Sequence, residues 1–145
     1  MAKGYPDFFG FPQFPSLGPV VSDSQIGVNC VSGVMTPVHT ILGKGVIMGG
    51  IMRPFGVFLW GPNRVNLSID GDTVMAWTVT ALWEYECYTP AAGPIYLVDY
   101  KFYGQSFAFG ITPGLTFSES YILSFEHAEG FNKVVPSDLY YTKIL

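Results

Sequence analysis

The sequence predicts an all-β fold: a jelly-roll-like antiparallel β-sandwich over residues 25–145, preceded by an irregular, extended arm over residues 1–24. Three observations predict it. RVNLSID (64–70) and YILSFE (121–126) alternate apolar and polar residues with a period of two. Turn signals such as RPFG, WGPN, TPAAGP, TPG, AEG and VPSD recur about every 8–12 residues, the spacing of a sandwich or barrel. No window of useful length carries a 3.6-residue period, and no fixed-period repeat is present.

Taken in order, PVHTIL, KGVIMGGIM and GVFLW are rich in β-branched and aromatic residues and read as strands. RVNLSID places Val65, Leu67 and Ile69 on one face. A tight turn starting at Gly71 and Asp72 leads into TVMAW as the second arm of a hairpin. ALWEYECY and IYLVDYKFY are further strand candidates. YILSFE points Tyr121, Leu123 and Phe125 inward, and DLYYTKIL closes the fold. The six inward residues of RVNLSID and YILSFE are the expected core.

The arm has a different texture. GYPDFFGFPQFPSLG spreads Tyr5, Phe8, Phe9, Phe11 and Phe14 among prolines and glycines, and the arm ends on the polar SDSQ. Proline at this density forbids a helix and interrupts a sheet ladder, so the segment cannot hide its own rings. A stiff chain loses little conformational entropy on docking, which suits these five aromatics to insertion into neighbouring subunits. They are the expected partner-binding residues; the competing reading wraps the arm over its own sandwich.

Hydrophobic residues make up 49% of the chain and charged residues 12%, about half the usual charged share, so part of the surface is expected to be covered by other chains. Five Lys and two Arg are scattered against eleven acidic residues. Phosphate-backbone binding needs a basic stripe, so no nucleic-acid partner is expected. There is no basic amphipathic stretch and no apolar run near the ~18 residues of a spanning helix, so no membrane partner is expected either. Prolines break any apolar leader near Lys3, and the chain is expected to fold in a cytoplasm. Cys30 and Cys87 then read as unbonded, buried, small apolar groups.

His39 and His127 stand alone, without Cys or carboxylate at ligand spacing, and no metal or other cofactor is expected. No G-x-S-x-G elbow occurs, and a Cys87–His127 nucleophile pair would have to form in space. Glu84 and Glu86, at i and i+2 of a strand, would stand roughly 6.5–7 Å apart, within an inverting glycosidase's range. The same spacing also follows if both glutamates face water while Trp83, Tyr85 and Cys87 face inward. Asp70 and Asp72 lack the remaining oxygens of a calcium loop. GKGVIMGG continues as a strand where a dinucleotide loop would open a helix. Asn66-Leu67-Ser68 matches a glycosylation acceptor but lies mid-strand. Trp60, Trp77 and Trp83 could form a sugar-binding platform or pack in a core or between subunits.

With GYPDFFGFPQFPSLG, TILGKGVIMGG, VNLSIDGD and LTFSESYILSFE in this order, the chain resembles small structural proteins of tailed-bacteriophage virions: head-decoration, head-fibre and tail-accessory proteins. These pair an aromatic N-terminal segment with a β-sandwich carrying a "GKG … IDG … F-x-x-S" progression. The resemblance spans most of the chain in short pieces. It implies a non-enzymatic virion component made in a host cytoplasm, a homotrimer docked on major capsid or tail subunits, and it carries over no catalytic residues. The alternative is a glycan- or host-surface-binding module on the same fold.

Overall fold

The computed structural model describes residues 17–54, 62–100, 107–128 and 130–144. Its strands are β1 (Leu17–Cys30), β2 (Thr36–Leu42), β3 (Gly45–Met52), β4 (Arg64–Ile69), β5 (Asp72–Thr78), β6 (Ile95–Tyr100), β7 (Phe107–Ile111), β8 (Thr116–Phe117), β9 (Ser120–Glu126) and β10 (Lys133–Ile144). One short helix, α1 (Val79–Glu84), follows β5. The first sheet runs β1-β10-β3-β7-β6, the second β2-β9-β4-β5. All pairings are antiparallel. β8 pairs with Gly45–Val46 of β3 and β7 with Gly50–Met52, so the two act as one interrupted strand along β3. The chain crosses between the sheets in the order of a jelly roll, as the sequence predicts.

Alternation builds the interior. Val65, Leu67, Tyr121, Leu123 and Phe125 are buried and Ile69 packs against them, so all six expected core residues face the other sheet. Phe107 and Phe109 of β7 stack edgewise at 5.3 Å, and both lie near Phe125 of β9, at 6.3 and 6.0 Å. Each such side chain contributes about 1.5–3 kcal/mol by leaving water. Cys30 and Cys87 are free, buried thiols.

Four readings are corrected. The hairpin turn is Asp70-Gly71 (φ 54° and 85°), with Ile69 opposite Asp72, one residue earlier than expected. ALWEYECY is not a strand. Thr78 caps a helix by accepting from the Ala81 N–H at 3.1 Å, and Val79 and Leu82, three apart, are its buried face. The chain leaves the helix through Glu86 in the left-handed region (φ 54°), and Tyr85 faces solvent instead of the core. The arm-to-sandwich boundary expected at 24/25 falls inside β1, which pairs with β10 from Leu17 onward. Pro19 sits in a register shift of that edge strand, where a missing N–H costs no ladder bond. Tyr5, Phe8, Phe9, Phe11, Phe14 and the GVFLW segment with Trp60 lie outside the described residues.

Candidate functional site

The two open edges of the sandwich differ, and each carries a distinct set of side chains. On one flank β5 ends the second sheet and β6 ends the first, and α1 packs against both. Val79 N–H donates to Asn63 O at 3.0 Å, Cys87 N–H to Leu82 O at 2.9 Å and Leu97 N–H to Cys87 O at 2.8 Å, so the helix start is tied to the residue before β4 and the post-helix segment to the helix and to β6. These ties leave an apolar recess of about 100 Å³ lined by Met75, Trp77, Leu82, Cys87, Pro94 and Ile95. Trp77 (41% exposed) forms part of its lining, and Tyr85 (72%) stands against Trp77 on the outside, their rings 5.8 Å apart and tilted by 58°. Glu84 and Glu86 flank Tyr85, both exposed. One ends a helix and the other occupies a left-handed turn, so they do not share a strand face, the arrangement from which the spacing of roughly 6.5–7 Å is expected.

The opposite flank, where β1 packs beside β2, is polar inside. A register shift between Pro37 and His39 turns both Val38 and His39 inward. His39 bridges the sheets: Nδ1 lies 2.7 Å from Asp23 Oδ2 on β1, and Nε2 lies 2.6 Å from Ser137 Oγ on β10. Gln25 steadies Asp23 with a 2.8 Å amide bond. Burial pushes the imidazole below its ordinary 6.5, against the hydrogen bond and charge of Asp23 and the charge of Asp138. In the neutral ring Nδ1–H donates to Asp23, and Nε2 accepts the Ser137 hydroxyl, which also lies 3.1 Å from Ile51 O. Carboxylate, imidazole and hydroxyl stand in orienter–base–nucleophile order. Ser137 is 3% exposed in the middle of a central strand and is among the residues that line the groove outside it. The array works as a polar latch between the sheets.

Outside the latch the same flank carries a groove of about 220 Å³ whose walls include Ile26, Ile51, Arg53 and Asp138. Pro136 offers β1 no N–H, and β1 shifts register between Gln25 and Val28 opposite it. The displaced Ile26 is 90% exposed.

Three of the four motif pieces behind the virion resemblance, TILGKGVIMGG, VNLSIDGD and LTFSESYILSFE, converge on one corner. Asp70 of IDG accepts backbone N–H bonds from Glu119 (2.6 Å), Ser118 (2.9 Å) and Ser120 (3.0 Å), and the Ser118 hydroxyl at 2.9 Å. These bonds, that of Ser120 foremost, hold its carboxyl well below the usual range. Gly43 donates to Glu119 O at 2.8 Å at a φ of 105°. A Cβ on Gly45 would stand 2.6 Å from the Phe117 ring and from Thr142 O. The progression therefore encodes a fold corner. A carboxylate already ringed by N–H donors is no calcium ligand.

The remaining candidates separate. His127 donates from Nε2 to Cys30 O at 2.6 Å, while the Cys87 thiol points to Tyr85 O at 3.9 Å, so the Cys87–His127 pair does not form. Trp83 is half-buried. Among the described residues no three His, Cys, Asp or Glu stand together as metal ligands, and no helix is long and apolar enough to cross a membrane. The latch escaped sequence reading because its members come from three strands of two sheets. Its one signal is Ser137 at the inward position of V-x-S-x-L. No protein-family model matches the chain, and no curated protein matches its sequence.

Proposed function

We propose that the chain is a non-enzymatic structural subunit of a virion that associates with copies of itself and with neighbouring capsid or tail subunits. The observation that carries this reading is the β5–β6 flank: Val74, Trp77 and Tyr85 stand exposed around an apolar recess on a sandwich whose sheets already cover each other. Aromatic rings held beside an apolar recess are the kind of anchor that dominates protein interfaces. The virion assignment draws on the resemblance, three of whose pieces meet in the Asp70 corner, and on the aromatics Tyr5, Phe8, Phe9, Phe11 and Phe14 as a docking segment. Mass spectrometry of purified particles from the chain's native source tests it. The chain is expected in fixed stoichiometry with capsid proteins, and its absence from particles contradicts the reading.

A second reading is favoured by the Trp77–Tyr85 pair alone. Two exposed, tilted rings can stack on sugar faces, and jelly rolls also serve as lectin domains. A glycan array separates the two: an assembly subunit binds its particle and no sugar, whereas a lectin loses sugar binding in Trp77→Ala.

A further inference from the structure

The flanks are complementary to each other. One presents Ile26, the most exposed large apolar side chain of the described residues, on a strand displaced by Pro136, with the cationic Arg53 in the wall of the same groove and Asp138 there engaged by the Ser24 hydroxyl at 2.6 Å. The other presents a recess lined by apolar side chains, about the size of one branched aliphatic group, with Glu84 and Glu86 exposed on either side of Tyr85, whose ring stands against the recess residue Trp77. Knob and cation on one side answer recess and carboxylates on the other.

We infer that the occupant of the recess is Ile26 of a second copy of this chain, with Arg53 of that copy facing Glu84 and Glu86. The inference deepens the assembly reading by naming the self-contact on which it rests. Because β1 and β2 end the sheets on one side and β6 and β5 on the other, knob and recess lie on opposite edges of the same subunit. The contact is therefore heterologous, and repeating it closes a ring or grows a filament. A ring matches the expected trimer, since each copy then has both its knob and its recess occupied. The geometry also explains two local costs in terms of partner recognition: an isoleucine left in water, and a non-glycine residue, Glu86, held at a φ of 54° next to Tyr85.

The full-length chain carries its own reporter, because Cys87 lines the recess and Cys30, the other thiol, is fully buried. Ile26→Cys places a thiol on the knob. Treated with a mild thiol oxidant such as diamide at low protein concentration, which joins two touching thiols as a disulfide without a spacer, Ile26→Cys is expected to give a ladder of covalent dimers and higher species. Peptide mapping should join position 26 of one copy to Cys87 of another. The ladder should be lost in Ile26→Cys/Cys87→Ser. Links between two copies of position 26, or monomer alone, overturn the inference. A charge swap tests the same contact without thiols: Arg53→Glu should weaken self-association, and Glu84→Arg/Glu86→Arg in the same chain should restore it. Failure of the swap to restore association counts against the pairing. A chain found in particles but lacking the 26–87 link would retain the assembly function and lose this contact, so the two claims fail separately.

Discussion

The two flanks of this sandwich solve the same problem, an open edge between two sheets, by opposite means. The β1–β2 edge is closed from within by Asp23, His39 and Ser137, a polar bridge whose bonds are nearly all satisfied inside the chain. The β5–β6 edge is closed by a helix of six residues and leaves an apolar recess with two aromatic rings in water. The difference teaches where stability and association are separated. The latch matters to the isolated subunit and should respond to pH. The recess adds little to the isolated subunit and should matter when another chain arrives.

Core packing sets the yardstick for that contrast. Leu67→Ala, on a fully buried strand between the flanks, should cost about 2–5 kcal/mol in denaturant melts. His39→Ala should come next, at about 3 kcal/mol, because it opens a cavity and leaves the Ser137 and Asp23 groups without their shared partner. A loss near that of a surface substitution would mean that the latch does not hold the sheets.

The pH dependence sharpens the comparison. With the His39 pKa lowered by burial, the unfolded chain takes up its proton first as pH falls. Stability should therefore be complete above the ordinary value of 6.5 and decline below it, through the lower folded-state value. His39→Ala should melt at a lower temperature with this slope removed. The Asp70 corner acts in a separate window. Its depressed carboxyl contributes stability above the ordinary 3.8 that is lost only as pH falls below that value. Thermal melts between pH 5 and 8 (the range in which histidines titrate) thus isolate the latch from the corner.

A smaller effect, of opposite sign, is expected at Tyr121. Its hydroxyl is buried with no hydrogen-bond partner among the described residues, and burial raises its pKa. Tyr121→Phe should gain about 1 kcal/mol by removing an unsatisfied polar group. The smallest effect on the isolated subunit belongs to the recess. Trp77→Ser should change folding stability by less than about 0.5 kcal/mol. The same change should weaken self-association by about tenfold, roughly 1.4 kcal/mol. If Trp77→Ser instead unfolds the subunit, Trp77 is part of the core and the contrast between the flanks collapses.

What the sequence made legible follows from how each element is buried. β4 and β9 alternate because one face is covered and the other is wet or half-covered, so their register and inward residues could be read directly. β7 is buried at all five positions and shows no alternation, so FAFGI carries no period to detect. β1 is an edge strand with a proline and two register shifts, and its exposed valines look like arm. α1 is too short to show a helical period. Its true signal was Thr78 ahead of Ala81, Leu82 and Glu84, a cap before good helix formers, overshadowed by the W-E-Y-E-C alternation. The recess needed the three-dimensional meeting of β5, α1 and β6, and only Trp77 among its residues had been singled out beforehand for binding.

The central claim is that this subunit is built to be covered by its neighbours, and the solution mass of the full-length chain tests it most directly. Light scattering coupled to size exclusion, at micromolar concentration, should give three times the chain's mass for the native protein. Ile26→Asp, placing a charge on the knob, should reduce it to a single copy with an unchanged circular dichroism spectrum. A native chain that elutes as a monomer, with Ile26→Asp indistinguishable from it, would contradict the account.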